Sequence, residues 1–282
     1  MSNISTENYV VRIVPGKIHS AKKSSSEAVK QVFNELHTSY FLNKSELKSR
    51  IFGKSFGIFT LAIDPIFQAI TYFFLTAYIF RGAIETSFLS LYVTVVFWQL
   101  FSKPLLNAGS ALGANSGIIK QTNFPLRIVF FSFFSLEFIL WFISFGVLLG
   151  FLLLNGVLPN ARWVLIPVLI LIQFAMTAAL SFPVAILGAY FKDITSVLAP
   201  LLGIWFYLSP GIYNREKVPE AFRWIYDLNP FSSLFEAYRY IFFEKGELFP
   251  ISLVLIFIIS IIALLVQANV FRLLLRRLYS YI

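Results

Sequence analysis

Apolar residues in this chain gather into long, nearly unbroken runs separated by short polar stretches. Runs at Ile58–Phe80, Phe88–Leu112, Ile128–Leu154, Trp163–Ala189 and Leu248–Leu275 have the roughly 20 mostly apolar residues that a helix needs to cross a bilayer. A further run, Ile194–Leu208, is shorter: about 22 Å as a helix, against roughly 30 Å of hydrocarbon. It stops at Ser209-Pro210-Gly211, where proline and glycine prevent a helix from continuing. The chain is therefore expected to turn inside the outer half of the membrane, not beyond it.

Two polar regions carry helical patterns of their own. Over 27–56, Val29, Val32, Phe33, Leu36, Tyr40, Leu42, Leu47, Ile51 and Phe52 recur with Lys and Arg between them, the pattern of an amphipathic helix lying on a leaflet. Residues 1–26 show no periodicity and read as a flexible tail. After the Ser-Pro-Gly turn, Pro219 opens one short helix, and Asn229 caps a second with Pro230 at its first position. In that second helix Phe231, Leu234, Phe235 and Tyr238 share a face, while Glu236 and Arg239 are placed to pair on the other. Non-spanning backbone at membrane depth must pack in protein or line a water-filled cavity. The expected fold is an all-α membrane protein. It has six transmembrane helices, an N-terminal amphipathic interfacial helix and two short re-entrant helices between spans five and six, with residues 57–282 forming the spanning domain.

Composition agrees with this pattern: 58% apolar, 18% aromatic and 13% charged over 282 residues, with a mean hydropathy of +0.76. Charge near a quarter would be usual for a soluble domain. With the N-terminus inside and six crossings, fifteen basic residues against five acidic ones face inwards, and seven against seven face outwards. Basic loops stay on the cytoplasmic side, so both termini are expected in the cytosol, and the N-terminal stretch has no secretory signal pattern.

Little catalytic chemistry is visible. Cysteine is absent, and the two histidines, His19 and His37, lack metal-ligand spacing. Gly53-Lys54-Ser55 has Lys48 where a phosphate-binding loop needs its first glycine. No resident cofactor is expected, and the chain does not hydrolyse ATP by itself. Ionisable groups within spans are functional candidates. Asp64, Gln68, Thr71 and Tyr78 form a polar stripe on the first span, which either lines a hydrophilic path or bonds to a neighbouring helix.

Several stretches, in order, resemble a known family. "NSGIIKQTNFP" (Asn115–Pro125), "YFKDI" (Tyr190–Ile194), "LSPGIY" (Leu208–Tyr213) and "LNPFSSLFEAYR" (Leu228–Arg239) are similar to motifs of ABC-2 membrane subunits that export polysaccharides such as O-antigen, capsule and teichoic acid. "SFGIFTLAIDPIFQ" (Ser55–Gln68) fits more loosely, with Phe59-Thr60 where a Trp is common, and Lys192 stands where Arg is usual. The similarity runs from about Phe41 to the C-terminus.

The resemblance implies a multi-pass homodimer in a bacterial cytoplasmic membrane with two ATPase subunits below it, ATP and Mg being bound there. It also implies a lipid-linked glycan as cargo, membrane lipids around the chain and no nucleic acid. It makes the segment 208–247 an outer gate, with Ser209, Pro210, Gly211, Asn229, Pro230, Leu234, Phe235, Glu236 and Arg239 as candidates. The cytosolic loop with Ile118, Ile119, Lys120 and Phe124 becomes the ATPase docking site. Asp64, Gln68, Thr71, Tyr72, Tyr78, Trp205, Phe206 and Tyr207 are candidates for the channel; the aromatic rings either stack on sugar faces or form an interfacial belt. Lys48, Arg50 and Lys54, just before the first span, either attract a lipid pyrophosphate headgroup or serve orientation alone. Export of capsule, teichoic acid or a small hydrophobic molecule is the alternative cargo, and a proton-coupled secondary transporter is the alternative class.

Overall fold

The computed structural model describes residues 37, 39–48, 59–79, 87–117, 119, 126–213, 217–246 and 248–281, with no side-chain description for 59–62, 79, 127, 269 and 271–281. Every regular element among them is helical. A helix over 39–48 (α1) is followed by α2 (Phe59–Phe74), which runs into a π-helical stretch, Leu75–Ile79. Then come α3 (Phe88–Ala114), α4 (Leu126–Leu154), a 3-10 turn (Ala161–Leu165) and α5 (Ile166–Tyr190). After α6 (Ile194–Leu208), a 3-10 turn (Glu220–Phe222) leads into α7 (Arg223–Leu228), α8 (Pro230–Phe243) and α9 (Pro250–Tyr281).

Four helical stretches among the described residues are long and apolar enough to cross a membrane: Phe88–Ala114, Ile128–Leu154, Ala161–Tyr190 and Pro250–Ala268. They match the second, third, fourth and last runs of the sequence. α6 has the 15 residues that its run predicts and ends where Ser209 begins the turn. The first run is not a uniform α-helix, because its last turn widens to π geometry over Leu75–Ile79.

α3 is the axis of the bundle, lying against α2, α4, α5 and α6. Its start is fixed by Ser87, whose hydroxyl accepts from Ser90 N, as an N-cap should. Among lipid-like side chains little hydrophobic drive remains, so helices join through close backbone approach and side-chain hydrogen bonds. Both devices occur here. A Cβ on Gly188 of α5 would overlap the Gly109 carbonyl of α3, and one on Gly109 would lie 2.9 Å from Thr195 Cγ2 at the start of α6. Trp141 of α4 donates to the Val96 carbonyl at 2.8 Å, and Gln173 of α5 donates to the Phe97 carbonyl at 2.6 Å. By contrast, α9 packs on α5 and α8 and leaves Ile251, Val254, Leu255, Ile258 and Ile262 exposed, a surface suited to lipid.

α8 shows why sequence pattern and burial are different questions. Asn229 accepts from Phe231 N at 3.0 Å and Pro230 takes the first helical position, as the sequence predicts. Yet Phe231 to Arg239 are all buried, the polar face included. α3, α5, α7 and α9 surround it, so its second face meets protein, not water.

Candidate functional site

Three regions contain the residues nominated above. On α2, Asp64 pairs with Lys103 of α3 at 2.8 Å. One turn along, Gln99 donates to Gln68 at 3.0 Å, and Gln68 donates to the Tyr72 hydroxyl at 3.0 Å. The four-residue step on each helix is that of two antiparallel helices in register. The polar stripe is thus a ladder between α2 and α3, with Asp64 and Thr71 still exposed on its rim. Thr71 donates to the Phe67 carbonyl of its own helix. Tyr78 is exposed on the π stretch, with Phe74 beside it at 5.1 Å between ring centroids.

The three consecutive aromatics of α6 point three ways, since successive helical residues lie about 100° apart. Phe206 is fully enclosed, stacked on Tyr72 at 4.7 Å and edge-on to Trp98 at 5.3 Å. Trp205 is half-buried against Phe101 and Phe231, and its indole N–H donates to Asn229 Oδ1 at 3.3 Å. Tyr207 is 50% exposed and touches Tyr72 edge-on. Tyr72 and Phe206 are therefore packed inside the bundle, whereas Asp64, Thr71, Tyr78 and Tyr207 face outwards from the chain.

The segment after α6 folds back on itself. Asn229 Nδ2 donates to Ser209 Oγ at 2.9 Å, so the two ends of the loop between α6 and α8 touch. Gly211 is a necessity of this turn: a Cβ there would sit 2.8 Å from Thr94 Cγ2 and against the Phe206 ring. Arg239 donates to the Pro210 carbonyl at 2.6 Å and pairs with Glu236 Oε1 at 2.6 Å. Tyr226 of α7 donates to the same carboxylate oxygen at 2.8 Å. A buried ion pair is costly unless further hydrogen bonds satisfy it; the Pro210 carbonyl and the Tyr226 hydroxyl supply two, while Arg239 Nε has none among the described residues. Leu234 and Phe235 are buried in the aromatic core. Gly246, at φ +96, passes so close to Glu236 that a Cβ would overlap its Oε2.

At the other end of the bundle, α1 presents Ser39 and Asn43 to α4. Asn43 donates to Ser135 Oγ at 2.8 Å and accepts from Ser132 Oγ at 2.6 Å. Tyr40, Phe41, Lys44 and Lys48 are exposed. Arg50 and Lys54 lie outside the described residues, as do Ile118, Lys120, Phe124 and the tail 1–26. Ile119 departs from the sequence expectation. It is not left for a partner to cover, because Leu112, Leu126 and Val129 enclose it. Among the described residues no group of three or more His, Cys, Asp or Glu could hold a metal.

Sequence reasoning passed over Gln173, Gln99, Asn43 and Tyr226. Each of the first two is a lone amide in an apolar run, the signal that a buried partner exists.

This ordered set of helices meets a family-level match: the chain matches ABC-2 type transporter over residues 42–243, from α1 to the end of α8. The chain belongs to the ABC-2 type transporter family. Two similar proteins from Klebsiella pneumoniae are named O-antigen export system permease protein RfbA. One is 27% identical over 227 residues, 79% of this chain and 88% of the relative; the other is 27% identical over 202 residues, 71% and 78%. A Myxococcus xanthus protein of the same name is 26% identical over 205 residues, covering 72% of this chain and 79% of its own length. The ABC-2 match ends at Phe243, so the pinned loop and α8 lie inside it and α9, with its exposed apolar face, lies outside.

Proposed function

We propose that this ABC-2 chain is the membrane permease of an exporter that carries a lipid-linked polysaccharide of the O-antigen class out of the bacterial cytoplasm. The observation that carries this reading is the similarity to three O-antigen export permeases, one of them over 88% of its length. The chain works as a homodimer of six-span subunits with both termini in the cytosol. Two separate ATPase subunits bind ATP and Mg and dock on the segment around Ile118, Lys120 and Phe124.

The exposed side of α2 and α6 is the pathway surface. Tyr78 and Tyr207 offer ring faces to sugar C–H groups, and Asp64, Thr71 and Lys103 offer exchangeable hydrogen bonds. Such contacts let a chain slide without one fixed register. Lys48, with Arg50 and Lys54, attracts the anionic lipid headgroup at about 1 kcal/mol per cation.

The test is export by the chain and its ATPase, co-reconstituted in vesicles with a lipid-linked glycan. ATP-dependent glycan translocation is expected. Translocation driven by a pH gradient with no ATPase present would overturn the reading, as would movement of a small hydrophobic probe but no glycan.

A further inference from the structure

The segment between α6 and α8 divides into two parts with opposite mechanical character. α8 is built into the bundle: Tyr238 donates to Gln173 at 2.7 Å and stacks on Phe97 at 3.6 Å, and every residue from Phe231 to Arg239 is buried. The part before it, 217–228, lies on the outside. Trp224 is 62% and Leu228 74% exposed, and Phe222 is also open. Tyr226, at 3%, is the buried side chain of this stretch.

The stretch holds its own shape. Arg223 pairs with Glu220 at 3.3 Å and donates to the Val218 carbonyl at 3.4 Å. Its base is closed independently of it. Asn229 bonds Ser209 at 2.9 Å and Trp205 at 3.3 Å, and Arg239 bonds Pro210 at 2.6 Å. A loop whose ends are fastened to each other can swing without displacing the helices on either side.

We infer that 217–228 is a flap that moves as one body over a fixed α8, and that the Tyr226 hydroxyl on Glu236 is its latch. The inference refines the outer gate of the proposed export function: the opening element is the flap, and α8 is the frame. Glu236 suits the latch because Arg239, on the same helix, holds the same carboxylate oxygen at 2.6 Å. A hydrogen bond to a charged acceptor shifts a closed–open balance by roughly tenfold or more.

The chain has no cysteine, so single spin labels can be placed directly. Trp224→Cys reports on the flap and Lys245→Cys, just past α8, on the frame, each in the full-length chain in lipid nanodiscs with and without Tyr226→Phe. The expected result is a new mobile spectral component at position 224 in the Tyr226→Phe background and an unchanged spectrum at 245. An unchanged spectrum at 224 overturns the latch, and equal mobilisation at both sites overturns the division into flap and frame. Should Tyr226→Phe fail to fold, distances from each label to a second one at Leu158→Cys in the otherwise unaltered chain decide the matter. A broad 224–158 distribution beside a narrow 245–158 one supports the flap, and equal widths overturn it. Neither measurement uses substrate or ATPase, so failure here is distinct from failure of the export reading.

Discussion

Tyr238 and Gln173 join two helices at the centre of the bundle: the phenol donates to the amide oxygen at 2.7 Å, while the amide nitrogen donates to the Phe97 carbonyl at 2.6 Å. Gln173 is completely buried, so each of its polar atoms has a definite partner to lose. Gln173→Leu removes both bonds and leaves the Tyr238 hydroxyl buried, at a cost of about 1–3 kcal/mol per orphaned group. The expected outcome is a lowered unfolding temperature in detergent. Tyr238→Phe in the same background should return part of the loss, since it removes the orphan. No recovery in the double variant would disprove the coupling.

The Asp64–Lys103 pair behaves differently. Its side chains are 62% and 35% exposed, and exposed pairs contribute roughly 0–1 kcal/mol. Asp64→Asn and Lys103→Gln should therefore leave thermal stability nearly unchanged. A fall in export at normal expression would then report on the pathway. A large drop in unfolding temperature would show the pair to be structural instead.

At the predicted cytosolic end, Ile119 and Phe124 are expected to separate stability from coupling. Ile119 is enclosed by its own chain, and Ile119→Ala should cost about 2–5 kcal/mol, seen as reduced folded yield. Phe124→Asp should instead preserve folding and ATPase turnover while abolishing export. Normal export by Phe124→Asp would remove the docking assignment.

Gly188 tests the closest helix crossing. Because a Cβ there overlaps the Gly109 carbonyl, Gly188→Ala forces α3 and α5 apart, and overpacking of this kind typically costs about 1–3 kcal/mol. Gly203 has open space around its Cβ position, so Gly203→Ala should be tolerated. Equal unfolding temperatures for the two variants would contradict the crossing.

Much of the fold is legible in the sequence because its signals are local. Unbroken apolar runs mark the long helices, Ser209-Pro210-Gly211 marks the end of α6, and Asn229-Pro230 marks the start of α8. What surrounds a helix is not local. The pattern of Phe231, Leu234, Phe235 and Tyr238 identifies one apolar face, and the three-residue step pairs Glu236 with Arg239, but neither says that this pair is buried by neighbours distant in sequence. Adjacent Phe206 and Tyr207 are alike in chemistry, yet one is inside and the other outside. The π stretch at Leu75–Ile79 has the composition of ordinary helix. On α1 the sequence places Tyr40 on the apolar face, yet Ser39 and Asn43 meet protein while Tyr40 and Phe41 are exposed.

That last arrangement sets an order of events during synthesis. Asn43 is separated from Ser132 and Ser135 by 89 and 92 residues. At ribosomal rates, its partners emerge on the order of ten seconds later. α1 is made before any spanning helix, yet its seat does not exist until α4 has entered the membrane. An amide kept waiting must stay hydrated, so α1 docks on α4 only afterwards. Of the described helices, the first to leave the ribosome is among the later ones to reach its place.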